Sequence, residues 1–256
     1  QISIFISVDL SSDGTYDWCK SLERNEQSVK VLQYGNYYGG AAKNFFRLIN
    51  DVNIKEYEFI AFSDQDDIWL SNKIEYAIKE INDRNIDAFS SDVIAFWENG
   101  KEIYIKKSWS QKKFDHFFES AGPGCTYVIK STALEVFKSF MIENWQSVNE
   151  IDLHDWVIYA HLRSQNYKWH IDKRPLIKYR QHKKNVLGSN IGLHAYFKRI
   201  LLIRESWYQK EVKKIQNLLA SEINFNLKFR IKNFLQLRRR LRDAIILLII
   251  SILGLY

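Results

Sequence analysis

The sequence predicts an α/β chain: a mixed sheet flanked by helices, then a helical, basic and apolar C-terminal extension. Three observations carry this expectation. β-rich apolar runs alternate with runs of helical spacing through the first part of the chain. Carboxylates and turn residues cluster at the ends of two of those runs, "VDLSSDGT" and "FSDQDDIW", where open α/β sheets take their ligands. The charge is also split: residues 172–256 hold 19 Lys/Arg against 5 Asp/Glu, and the rest of the chain holds 18 against 25.

In chain order, Ile2 to Val8 reads as a strand, ended by turn and cap residues. Tyr16 to Glu23 reads as a helix, Val29 to Tyr34 as a short strand, and "GNYYGG" as a loop. Ala41 to Asn50 has the apolar stripe of a helix through Phe45, Phe46, Leu48 and Ile49. Glu58 to Ser63 reads as a strand. Leu70 to Asn85 has helical spacing through Ile74, Ala77, Ile78 and Ile81. Ala88 to Trp97 reads as one strand that "ENGKEI" turns back into a hairpin. Beyond Ser120, "AGPGCTYVIK" is a loop entering a strand, "DLHDWVIYAHL" opens a helix, and "LIKYRQHKKNVLG" is a strand running into a basic loop. Gly192 to Leu219 reads as one or two amphipathic helices. "LKFRIKNFLQLRRRLR" is basic and amphipathic, and "AIILLIISILGLY" is apolar save for Ser251.

At 256 residues and 46% hydrophobic content, the chain is long and apolar enough for a sizeable core, which excludes global disorder. With 10 Gly and 2 Pro, collagen-like and low-complexity classes are excluded as well. Cys19 and Cys125 lie far apart and form no metal spacing, so they read as two reduced thiols of a cytosolic protein. The chain opens on Gln1 directly in a strand-like run, from which a preceding segment is expected.

Three carboxylates within four residues, Asp64, Asp66 and Asp67, repel one another and need a compensating cation. In an extended segment Asp64 and Asp66 point to the same side. Mg²⁺ takes one or two such carboxylates together with substrate phosphates. The alternative is a cap cluster for the helix starting near Trp69, since Asp favours helix N-termini.

"FSDQDDIW" at a strand end resembles the Asp-x-Asp motif of glycosyltransferase family 2, which has the GT-A fold, and in particular its rhamnosyltransferase-like members. "VDLSSDGT", "GNYYGGAAKNFFRLI", "GPGCTYVI", "LHDWVIYA" and "YRQHKKNVLG" resemble further segments of that family, in the family's order, over about Ile2 to Gly188. The resemblance implies an inverting transfer of a sugar, rhamnose among the candidates, from a dTDP- or UDP-sugar to a hydroxyl. The acceptor would be lipid-linked or a polysaccharide, in bacterial surface-glycan synthesis. By the same resemblance, Asp155 is the general base. Asp64, Asp66 and His182 hold Mg²⁺ or Mn²⁺. Asp9, Lys43, Asn44, Asp67 and Arg180 serve the donor, and Gly124, Cys125, Thr126 and Trp156 the acceptor. The residue types suit the chemistry: an acceptor hydroxyl needs a base, and a leaving diphosphate needs positive charge. Asp155 is expected at a helix start, where the dipole favours its ionised form.

Two departures stand out. The family's usual first strand and helix are absent, and its Asp-Asp-Gly segment reads Val8-Asp9-Leu10 here. The alternative function is therefore an inactive remnant that binds nucleotide or sugar without turnover. The expected organisation is a GT-A domain at 1–190 and a helical extension at 191–256. The extension's basic and apolar character suits the anionic cytoplasmic face of a cell membrane, with the protein peripheral to it. Nucleic acid is not an expected partner, because no recognition module accompanies the charge.

Overall fold

The computed structural model describes residues 2–182, 207–219 and 222–255. The proposed boundary at 190/191 and the first part of the predicted 192–219 helical region lie outside the described residues.

The first unit is β1 (Ile4–Ile6), α1 (Thr15–Asn25) and β2 (Val29–Val31), with β1 and β2 parallel as Ile4 meets Val29 and Ile6 meets Val31. α2 (Ala41–Asp51) follows, as its apolar period predicts: Ala42, Phe45, Phe46 and Ile49 are buried on one face. β3 (Phe59–Ala61) leads to the acidic segment, which runs into a two-residue strand, β4 (Ile68–Trp69). α3 (Lys73–Asp83) starts later than its spacing suggests and ends before Asn85, which adopts a left-handed φ of 50°.

The expected single strand from Ala88 to Trp97 is two strands in different sheets, β5 (Ala88–Ser91) and β6 (Val93–Phe96). The break is at Asp92, which is completely buried. Its Oδ1 accepts the backbone N–H groups of Lys107 and Ser108, at 2.5 and 2.7 Å, and its Oδ2 accepts the Ser108 and Tyr104 hydroxyls. A buried carboxylate with that many donors is worth more than one continuous strand. The predicted hairpin is present: β6 pairs antiparallel with β7 (Glu102–Ile105) across a turn with Gly100 at φ 80°.

β8 (Val128–Lys130) leads into α4 (Ser131–Glu143), short α5 (Trp145–Asn149) and α6 (His154–Ser164). β9 (Trp169–Asp172) and β10 (Ile177–Arg180) follow. One mixed sheet has the order β3-β8-β5-β9 and a second β4-β10-β6-β7. The main core lies beneath the first sheet, with Phe46, Tyr127, Phe137, Val157 and Tyr159 at its centre.

Three helices close the chain: Trp207–Leu218, Leu227–Leu237 and Leu241–Ile252. They belong to the same core, to which Val212, Ile215, Leu237 and Leu247 contribute. Phe225 and Phe229 pack around Phe114, and the fully buried Asp115 forms ion pairs with Arg163 of α6 and with Arg239. A buried carboxylate needs such partners. Among the described residues, no helix is long and apolar enough to cross a membrane.

Candidate active site

Asp64 lies just beyond the end of β3, and the chain turns at Gln65–Asp66 before entering β4. The turn changes the expected pairing of carboxylates. In place of Asp64 and Asp66 side by side, Asp64 and Asp67 each bring an oxygen within 4.8 Å of the Cys125 Sγ and of each other. Asp66 faces His182, whose Nε2 lies 2.8 Å from its Oδ2.

The second sheet places the basic residues. β10 pairs antiparallel with β4, with Ile177 opposite Trp69 and Lys178 opposite Ile68. Continued by two residues, that register sets Arg180 beside Asp66. The Arg180 backbone N–H donates to Asp67 Oδ1 at 2.9 Å, and its Nε donates to the Asp66 carbonyl at 2.8 Å. The guanidinium lies 4.6 Å from the centroid of the Phe96 ring.

Asp155 sits in the first turn of α6. Burial pushes its carboxyl up to about 7, against the opposing pull of Lys107 and of the backbone N–H groups of Trp156 and Gly124. The expected stabilisation of the ionised form by the helix N-terminus is present but is outweighed by desolvation. Burial also takes Asp64 up to about 7, with the Asp67, Asp66 and Asp155 charges adding to it and the Cys125 thiol opposing. Asp67 is shifted up mainly by burial, and its buried Oδ2 has no hydrogen-bond partner. The Asp155 Oδ1 has none either.

This crowd of carboxylates with orphaned oxygens fits a divalent cation. Asp64 and Asp67 offer it hard oxygen ligands of the kind Mg²⁺ or Mn²⁺ takes, while Asp66 and His182 are paired with each other beside that group.

Gly124 shapes the site. A Cβ there would lie 2.5 Å from the His154 Nε2 and 3.2 Å from the Asp155 Cβ, so only glycine lets this loop reach α6. His154 is held in turn by stacking on Phe45, with centroids 4.0 Å apart, and burial keeps it neutral by lowering its pKa to about 3.

The remaining predicted residues divide. Asp9, Lys43 and Asn44 gather around the end of β1 and the start of α2. Asp9 accepts the backbone N–H groups of Tyr38 at 2.6 Å and Gly39 at 2.8 Å, which holds the loop before α2. Asn44 accepts from the Ser7 hydroxyl at 2.7 Å, and Lys43 is exposed. Three of the residues expected at the acceptor are buried. Trp156 is a core residue, 2% exposed, with its indole N–H donating to the His116 carbonyl at 2.9 Å and its ring stacked on Tyr208. Thr126 is fully buried, and its hydroxyl donates to the Pro123 carbonyl. Cys125 is fully buried beneath the carboxylates, which, with burial itself, push its thiol well up.

Lys73 was not foreseen. At 1% exposure its ammonium lies 3.4 Å from the centroid of the Trp69 ring and makes no hydrogen bond. Burial lowers its pKa to about 7, while Cys125 and Asp67 pull it upward. A lysine in the first turn of an amphipathic helix carries no sequence signal of burial, and the strand and turn between Asp67 and Lys73 hide their proximity.

The mixed α/β sheet, with acidic residues gathered at strand ends and at the start of α6, is the setting in which comparison with known proteins places a glycosyltransferase that uses a nucleotide-sugar donor. The chain belongs to glycosyl transferase family 2, whose model matches residues 1–141. It is 46% identical, over its full length and 92% of the relative's, to the dTDP-rhamnosyl transferase RfbG of Shigella flexneri. Over 52% of its length, and 51% of the relative's, it is 30% identical to an Escherichia coli protein, the UDP-Glc:alpha-D-GlcNAc-diphosphoundecaprenol beta-1,3-glucosyltransferase WfgD. In fold it is similar to the mannosyltransferase PcManGT of Pyrobaculum calidifontis, solved with GDP-Man and Mn²⁺. The TM-score is 0.50 at 13% identity, covering 99% of this chain and 71% of that one.

Proposed function

We propose that the protein transfers rhamnose from a dTDP-linked donor, or a related sugar from a UDP-linked one, to a hydroxyl of a lipid-linked or polysaccharide acceptor. Transfer inverts the anomeric carbon and depends on Mg²⁺ or Mn²⁺. It takes place at the cytoplasmic face of the membrane during surface-glycan synthesis. The observation that carries this reading is the convergence of Asp64 and Asp67, from the loop after β3, with Asp155, from the start of α6, each with its carboxyl pushed up. The similarity to a dTDP-rhamnosyl transferase supports the choice of donor.

In this mechanism Asp155 accepts the proton of the acceptor hydroxyl as its oxygen bonds to the anomeric carbon. The bond from that carbon to the diphosphate breaks on the opposite side, and its electron pair leaves with the diphosphate. A carboxylate whose pKa lies near 7 is a stronger base than an exposed aspartate and is still ionised in part at neutral pH. Arg180 brings positive charge to the edge of the acidic cluster, where the departing diphosphate builds negative charge. Asp64, Asp66, Asp67 and His182 are the residues that would hold a divalent ion, which would supply charge neutralisation for that leaving group.

The test is transfer from dTDP-rhamnose to a lipid-linked saccharide, followed by dTDP release and by the anomeric configuration of the product. Chelation with EDTA should stop turnover, and Mg²⁺ or Mn²⁺ should restore it. Wild-type turnover by the Asp155→Asn and Asp66→Ala variants would overturn the site. Donor binding with no turnover under any condition would favour the inactive-remnant reading.

A further inference from the structure

We propose that helices Leu227–Leu237 and Leu241–Ile252, together with the loop bearing Trp109, form a surface that docks on an anionic lipid bilayer. Helix Leu241–Ile252 lies along that interface and does not cross it. This deepens the membrane-face reading above by assigning the residues and the manner of contact.

Helix Leu241–Ile252 is apolar on both sides. Ala244, Leu247 and Ser251 face the protein and are buried. Leu241, Ile245, Ile249 and Ile252 recur at helical spacing on the other side, 42–59% exposed, with Ile246 and Leu253 beside them. Ser251, the one polar side chain between 244 and 253, is spent on the buried side. A helix without a polar face, left open on one side, is built for an apolar environment. The preceding helix, which packs against it and is kinked at Asn233, adds the exposed Leu227 and Ile231 before the kink and the exposed Leu235 after it.

The length and the ending exclude a span. Twelve residues make a helix of about 18 Å, against a hydrocarbon core of about 30 Å. The helix also stops itself. Gly254 adopts a left-handed φ of 67°, its N–H donates to the Ser251 carbonyl, and the Leu255 N–H donates to the Ile250 carbonyl. This paired pattern terminates a helix.

Charge complementarity selects the occupant. Lys228 and Lys232 are exposed on the first helix, and Arg240 and Arg242 stand at the start of the second. Arg240 and Lys106 both approach the face of Trp109, at 5.8 and 4.3 Å from its centroid. An exposed tryptophan among cations beside an apolar helix matches the headgroup layer of an anionic membrane. A second copy of this chain would bring like charge to like charge.

The experiment uses the full chain and vesicles of phosphatidylcholine with or without phosphatidylglycerol. Sedimentation should show binding to the anionic vesicles that weakens with salt. The Ile245→Glu/Ile249→Glu variant should lose at least about tenfold in affinity while keeping donor turnover on a water-soluble acceptor. Because that variant could lose stability, Ile249→Cys labelled with an environment-sensitive fluorophore gives a second reading, the two native cysteines being buried. Its emission should shift to the blue only on anionic vesicles. Undiminished binding by the double variant, or no emission shift, overturns the proposal. So does a wild-type dimer that ignores vesicles and becomes monomeric in the double variant, which would give the face to a second copy. Vesicle binding without sugar transfer would leave the docking surface standing and remove the proposed function, and transfer without vesicle binding would do the reverse.

Discussion

Gly124 and His154 approach so closely that a side chain cannot come between them: a Cβ on Gly124 would lie 2.5 Å from the His154 Nε2. The imidazole cannot retreat, because it is stacked on Phe45. Gly124→Ala should therefore push α6 outward and displace Asp155. A misplacement of about 1 Å in a catalytic group costs on the order of 10²-fold in rate. The expected result is a fall in kcat of that order with donor affinity little changed, checked by steady-state kinetics alongside thermal melting.

Asp155→Asn removes the proposed base and keeps the shape. The loss in kcat should be about 10²–10⁴-fold. With the cation holding Asp64 ionised, the wild-type rate should climb with pH through about 7, as Asp155 gives up its proton. The variant's residual rate should lack that acid limb. A wild-type profile flat from pH 5 to 8 would remove Asp155 from the role.

Asp64→Asn should separate stability from function. The Asp64 carboxyl is raised from 3.8 to about 7 in the folded protein, so the fold keeps a proton that the unfolded chain releases. The cost of ionising it in place grows as pH rises from about 4 and is complete above about 7. In the absence of metal, the variant should melt at a higher temperature than wild type at pH 8, with the difference vanishing towards pH 4. Added Mn²⁺ should raise the wild-type melting temperature at pH 8 and leave the variant's nearly unmoved. Differential scanning fluorimetry across pH decides it.

Lys73→Met replaces a buried ammonium with an apolar chain of similar length. The Lys73 pKa falls from 10.5 to about 7 on folding, so the burial cost is full below about 7 and fades towards 10.5. The variant should gain stability at pH 6 and gain less at pH 10. Removing positive charge near Asp67 should also tighten Mn²⁺ binding, measurable by calorimetry. Weaker binding would mean that the lysine orders the carboxylates and does not oppose the ion.

α2 was legible because its stripe of Phe45, Phe46, Leu48 and Ile49 is local and periodic; all but the half-buried Leu48 are buried, and the one surprise is Arg47, buried although charged. The carboxylates and Asp155 were legible as motifs. The division of labour between Asp66 and Asp67 was not, because it depends on the turn at Gln65–Asp66 and on a strand more than a hundred residues away. The break at Asp92 was hidden for a similar reason. "AFSSDVIAFW" is strand-like throughout, and only the donors at Lys107 and Ser108 part it into two sheets. Trp156 reads from sequence equally as core packing or as a sugar platform, and only the carbonyl of His116, which accepts its indole N–H, shows that it is packed in the core.

Asp115 has a consequence that reaches beyond packing. Its buried carboxylate is shared by Arg163, on the helix that carries Asp155, and by Arg239, between the two helices with the exposed apolar faces. A protein resting on lipid through those helices would thus hold its base at a set height above the bilayer. The enzyme would then act as a gauge, favouring growing glycans whose free hydroxyl stands at that height over those of the same chemistry that end too near the lipid or too far from it.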